Sequence, residues 1–116
     1  MISIESEERP WGRFFVIHNE SNYKLKRIEV DPGGRLSYQF HTKRSESWIL
    51  VKGLATVTLD GIVREYSYGQ TIIIPKGCKH RIENKGKTEL VFIEVQTGEY
   101  FGEDDIVRIE DDYNRK

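Results

Sequence analysis

Cysteine is nearly absent: Cys78 stands alone among 116 residues, which excludes an internal disulfide framework and suits a reducing compartment. Proline is scarce, at three residues. No apolar run approaches the roughly 20 residues that a membrane-spanning helix needs. Met1-Ile2-Ser3-Ile4-Glu5 lacks the basic-then-apolar plan of a signal peptide, so a cytoplasmic protein is expected rather than an exported one. Neither sign of charge dominates, with 18 basic and 19 acidic residues and a net charge of −1. Binding to nucleic acid or to a membrane is therefore not expected, whereas a small anionic ligand needs only a local basic cluster. The length leaves no room for a two-domain enzyme, and a single domain over residues 1–116 is expected.

What is present is a β-rich pattern. Hydrophobic residues make up 37% of the chain and charged residues 32%, enough apolar mass for one core under a wet surface. Short β-branched and aromatic runs lie between turn signals: Tyr23 to Val30, Arg35 to His41, Glu46 to Lys52, Ala55 to Leu59, Ile62 to Tyr66, Gln70 to Ile74, His80 to Glu83 and Glu89 to Gln96. Asp31-Pro32-Gly33-Gly34 and Pro75-Lys76-Gly77 punctuate them. Asp60-Gly61 is the strongest hairpin signal, because both central residues of a type I′ turn need positive φ. The stretch from Gly102 to Tyr113 reads as a docked tail containing a short strand. With no convincing amphipathic helix between the strands, an antiparallel sandwich or barrel follows.

Chemistry concentrates at Gln39, His41 and Glu46, joined from far along the chain by His80. Alternate residues of a strand share a face, so Ser37, Gln39 and His41 point one way. After a bend at Thr42-Lys43, Arg44, Glu46 and Trp48 do likewise. Two imidazoles, a carboxylate and an amide oxygen form a nitrogen/oxygen set suited to a divalent transition metal. Each of these groups is costly inside a core unless partnered, and convergence on one ion satisfies all of them.

The spacing Gly33, five residues, Gln39, one residue, His41, four residues, Glu46, six residues, Gly53 resembles the first motif of the cupin superfamily, with Gln in place of the usual first His. Gly69, five residues, Pro75, then Gly77, His80 and Asn84 resembles the second. Arg9-Pro10-Trp11-Gly12, the run Leu36-Ser37-x-Gln39-x-His41-x-x-Arg44-x-Glu46-x-Trp48, and the closing Gly98-x-Tyr100-x-Gly102-Glu103-Asp104-Asp105-Ile106-Val107-Arg108 are similar to the type II phosphomannose isomerase cupin. That module is often the C-terminal half of a bifunctional mannose-1-phosphate guanylyltransferase/mannose-6-phosphate isomerase. The similarity runs over roughly residues 9 to 115.

The resemblance implies an all-β double-stranded β-helix (jelly roll) with metal ligands Gln39, His41, Glu46 and His80. It also implies interconversion of mannose 6-phosphate and fructose 6-phosphate, usually with zinc. Manganese, iron, nickel and cobalt are compatible with the same ligands. Ser37 and Arg44 are the expected positioning groups and Arg108 the expected phosphate ligand, since a guanidinium fork matches phosphate oxygens. Gln39 has a second reading, as hydrogen-bond partner of substrate or of a metal-bound water. Guanylyltransferase activity is not expected, for want of a Gly-rich nucleotidyltransferase loop. Family members commonly carry histidines where this chain has Thr42, Lys43 and Ser47. Strand geometry turns Thr42 and Ser47 away from the ligands, so the metal site survives while catalysis stays open. A non-catalytic cupin that binds a sugar or phosphosugar is the alternative, and two His with one carboxylate also suit a mononuclear iron oxygenase. His18 reads as an ordinary polar residue, Trp48 and Phe92 as core, Asn84 and Gly77 as turn residues, and Cys78 as a small hydrophobe. Edge strands of a small jelly roll need cover, so a homodimer is expected.

Overall fold

A computed structural model of the chain describes residues 3–113. The described residues form strands β1 (Glu5–Arg9), β2 (Gly12–Asn19), β3 (Tyr23–Val30), β4 (Tyr38–His41), β5 (Arg44–Lys52) and β6 (Ala55–Leu59). They continue through β7 (Ile62–Tyr66), β8 (Thr71–Ile74), β9 (His80–Glu83), β10 (Leu90–Gly98) and β11 (Ile106–Glu110). A single 3-10 turn, Glu103–Asp105, precedes β11. No helix among the described residues is long and apolar enough to cross a membrane.

The strands make two antiparallel sheets, ordered β1-β2-β3-β10-β5-β8 and β11-β4-β9-β6-β7. From β3 onward the chain passes from one sheet to the other at almost every turn, which is the winding of a double-stranded β-helix. Alternation along the strands sends one set of side chains between the sheets. Val30, Leu50, Ile82, Leu90 and Phe92 are wholly buried there, and each such side chain contributes roughly 1.5–3 kcal/mol of transfer free energy. The hairpin between β6 and β7 turns on Asp60 and Gly61, at φ 45° and 85°, the positive pair that a type I′ turn requires.

The strands expected between Tyr23 and Gln96 form, with one-residue shifts from Gln70 to Thr71 and from Glu89 to Leu90 and three larger adjustments. The run Arg35 to His41 is a strand only from Tyr38; Arg35 keeps an isolated bridge to Glu83. Strand β5 begins two residues earlier than expected, at Arg44, so the bend is confined to Thr42-Lys43. Strand β10 extends to Gly98. The tail strand forms as β11 and pairs with β4, setting Arg108 opposite Gln39. Strands β1 and β2 were not anticipated. Glu5–Arg9 has no apolar alternation and is mostly exposed; it is ordered by its backbone ladder to β2. In β2 the continuous Phe14-Phe15-Val16-Ile17 run hides the period by which Phe14 and Val16 turn inward.

Candidate metal centre

Strand register brings the chemistry together. Gln39 on β4 stands opposite His80 on β9. On the other sheet Glu46 and Trp48 of β5 stand opposite Gln96 and Glu94 of β10, and Glu94 stands opposite Lys26 of β3. The Pro75-Lys76-Gly77 turn is tied to the end of β4 by the Gly77 amide donating to the His41 carbonyl at 2.7 Å. That bond fixes where β9 starts and therefore where His80 enters.

His41, Glu46 and His80 are all buried, and one ligand atom from each lies within 4.8 Å of the other two. His41 Nε2 is 3.2 Å from Glu46 Oε2, and His80 Nε2 is 4.0 Å from Glu46 Oε1. Carbonyl oxygens fix both tautomers: Nδ1 of His41 donates to Asp105 at 3.3 Å and Nδ1 of His80 to Cys78 at 2.9 Å. A carbonyl can only accept, so each Nε2 carries its lone pair toward Glu46. Burial, with the neighbouring Arg44 charge and the closeness of the second imidazole, pushes His41 down to about 4, and burial likewise lowers His80. Both rings are neutral near pH 7. Three acceptors thus converge with no proton among them to share; Arg44 and Trp48 lend N–H groups to His41 and Glu46, while His80 Nε2 has no hydrogen-bond partner among the described residues. A divalent cation resolves that arrangement, and the carbonyl contacts behind the rings are the outer support that metal-binding imidazoles require. The residues fit such an ion.

Gln39 sits beside this trio, but its amide nitrogen, 3.4 Å from His41 Nε2, is the atom that faces it. Its oxygen accepts from the Ser37 hydroxyl, so the amide must turn over before it can ligate. Ser37 is buried and its hydroxyl is engaged by Gln39. Arg44 is buried against Glu46 and His41 rather than solvated. Arg108 is half-buried and faces the cavity beside the trio. Thr42, Lys43 and Ser47 are exposed, away from the ligands.

That cavity has an apolar wall of Trp11, Phe14, Ile28 and Trp48, and carries Arg9, Lys26, Arg44, Arg81 and Arg108 against the carboxylates of Glu46 and Glu94. Its balance is positive. Glu94 and Lys26 are the pair that the residue pattern did not reveal. Glu94 Oε1 and Glu46 Oε1 both accept from the Trp48 indole N–H, at 3.0 and 3.1 Å, and Glu94 Oε2 accepts from Gln96 at 2.7 Å. Burial, reinforced by the Glu46 charge and opposed by Lys26, pushes the Glu94 carboxyl up to about 7. The Lys26 ammonium lies 4.2 Å from the centre of the Phe14 ring. The one available signal was phase: Lys26 alternates with Ile28 and Val30, and Glu94 with Phe92, so each is a charge set among core positions.

Two antiparallel sheets wound as a double-stranded β-helix, with imidazoles and a carboxylate gathered on their inner walls, define a cupin. An RmlC-like cupin from Shewanella frigidimarina NCIMB 400 superposes with a TM-score of 0.73 at 20% identity, covering 86% of each chain. A family model described as mannose-6-phosphate isomerase C-terminal matches residues 4–111, and the chain belongs to that family. Its relatives include a mannose-1-phosphate guanylyltransferase of Salmonella montevideo, 47% identical over 92% of this chain, and the xanthan biosynthesis protein XanB of Xanthomonas campestris pv. campestris, 49% identical over 92%. The chain spans only 23% of the length of each of these two relatives.

Proposed function

We propose that this chain is a metal-dependent aldose-ketose isomerase interconverting mannose 6-phosphate and fructose 6-phosphate. His41, Glu46 and His80 would hold one divalent ion, zinc in the first instance, with the Gln39 amide oxygen as a fourth donor if the amide were turned over. The observation that carries the reading is the convergence of three lone-pair donors, none with a proton to share, beside a cavity with a net positive lining. A bound divalent cation supplies Lewis-acid stabilisation of charge developing on the sugar oxygens at C1 and C2. Arg108 takes the phosphate through its guanidinium fork, and Ser37 and Arg44 orient the sugar. Of the carboxylates lining the cavity, Glu94 is the one outside the cation set, and its oxygens are the candidates for carrying the proton between the two carbons.

The test is a coupled assay of fructose 6-phosphate formed from mannose 6-phosphate, run alongside elemental analysis. Metal-loaded protein turns the substrate over, chelator abolishes the rate, and Gln39→Ala and His80→Ala lose metal. Absence of turnover, together with unchanged metal content in both variants, would sink the reading. Phosphosugar binding without product would instead identify a non-catalytic cupin. We also propose that the chain works as a homodimer, because β7 and β8 are sheet edges whose Ile62, Val63 and Ile73 are exposed. Light scattering at micromolar concentration checks this, and a monomer mass refutes it.

A further inference from the structure

Arg44 opens β5, two residues before Glu46 and on the same face of the strand. Only 4% of its surface is exposed, a costly setting for a guanidinium that lacks charged company. Its Nε donates to Glu46 Oε2 at 2.9 Å, its Nη1 to the Phe101 carbonyl at 3.5 Å, and its Nη2 lies 3.3 Å from His41 Nε2. Because the Asp105 carbonyl fixes the proton of His41 on Nδ1, Nη2 is the donor in that last contact. Two N–H groups of one fork therefore engage a carboxylate oxygen and an imidazole lone pair of the trio. An imidazole nitrogen has one in-plane lone pair, so His41 serves either Arg44 or a metal ion, not both.

We propose that Arg44 is a built-in counter-cation, which holds Glu46 and His41 in a ligating posture and is displaced into the adjoining cavity when a divalent ion enters. The inference rests on the reading of His41, Glu46 and His80 as cation ligands. Arg44 already lines that cavity, so the displacement proposed is a turn of its side chain into space it already borders. Without the guanidinium, the metal-free protein would bury an uncompensated carboxylate. With it, metal and guanidinium compete for the same electron pairs. Once displaced, the positive charge stays inside the cavity, where an anionic sugar phosphate arrives. Metal loading and readiness for substrate are thereby coupled through one side chain.

Zinc dissociation constants of the wild type, Arg44→Met and Arg44→Lys, measured by competition with a chromophoric chelator, test the proposal. Melting curves in chelator and in zinc accompany them. Displacement predicts that Arg44→Met binds zinc at least tenfold more tightly than the wild type. The same variant melts lower in chelator and recovers the difference in zinc. Arg44→Lys, which keeps a charge but loses the fork, falls between the two. If the wild type loads zinc while both variants bind it equally or more weakly, the proposal is overturned and Arg44 is a support for its ligands. If Arg44→Met does not fold without metal, Arg44→Lys against the wild type decides by the same criterion. Failure of the wild type to take up zinc, manganese or cobalt overturns the cation reading and this inference together.

Discussion

At the scale of single residues, His41, Glu46 and His80 converge on one point, and under the proposed isomerase reading Glu94 is the group that handles the proton. Glu94→Gln keeps the shape and can still accept from Trp48 through its carbonyl oxygen, but it can no longer take up a proton. The variant is expected to retain its metal by elemental analysis while kcat falls by roughly 10²–10⁴, the span typical of a lost acid–base group. Equal kcat in the two proteins would remove Glu94 from the mechanism. Asp105 works at the same scale on stability. Its carboxylate accepts from the Thr42 amide at 3.2 Å, the Thr42 hydroxyl at 2.7 Å and the Lys43 amide at 2.9 Å, pinning the bend between His41 and Arg44. Burial pushes its pKa up, but the Thr42 and Lys43 donors outweigh that and hold it below the ordinary value. A depressed carboxylate stabilises the fold above its unfolded pKa of about 3.9, and that contribution is lost as pH falls through the folded value. Asp105→Asn is expected to cost about 1–3 kcal/mol near neutrality. In melts it should also show a shallower loss than the wild type as pH falls below about 4.

Among elements, the β6–β7 hairpin isolates backbone strain from packing. A Cβ added at Gly61 meets nothing within 4 Å, yet φ is 85° there. Gly61→Ala is therefore expected to destabilise by about 1–2 kcal/mol through strain alone. Metal affinity should be unchanged, as thermal melts and a zinc titration would check. This hairpin was legible because its signal is local: two residues demand positive φ, and alternation flanks them. The trio was legible for a related reason, since the spacing of His41 and Glu46 across a two-residue bend carries the geometry, and His80 follows a turn that can be read from Pro75 and Gly77. Strand β1 was illegible because ESEER owes its order to a partner ladder, not to its own side chains. Lys26 and Glu94 were illegible as a pair because their meeting depends on the register of β3 against β10, fixed by the 67 residues that lie between them. Sequence phase marks each as misplaced but cannot name its partner. The tail strand is held from several sides, by Arg35 to Asp112 at 2.8 Å and by Arg81 to the Glu110 carbonyl at 3.2 Å. That docking delivers Arg108 to the cavity wall.

Across the whole molecule, the interior carries an unusual load of charge for a small domain: Lys26, Arg44, Glu46 and Glu94 are each at most 5% exposed. Such groups are costly to desolvate, and a cation that binds only the folded state offsets part of the cost. Zinc at a hundred times its dissociation constant is expected to add about 2.7 kcal/mol to stability. For a chain of this size that is a rise in melting temperature of roughly 10 °C over the chelated protein. Scanning calorimetry with and without chelator measures it, and no shift in zinc would show that the ion does not select the fold.

The Trp48 indole bridges the two buried carboxylates and stands edge-on to His80, with ring centres 5.8 Å apart. Trp11, the other of the chain's two tryptophans, lines the same hollow. Tryptophan fluorescence, excited selectively over the six tyrosines, therefore originates at this one place. Ion entry and sugar occupancy are thus open to direct optical titration in unmodified protein, without an attached dye or an engineered reporter.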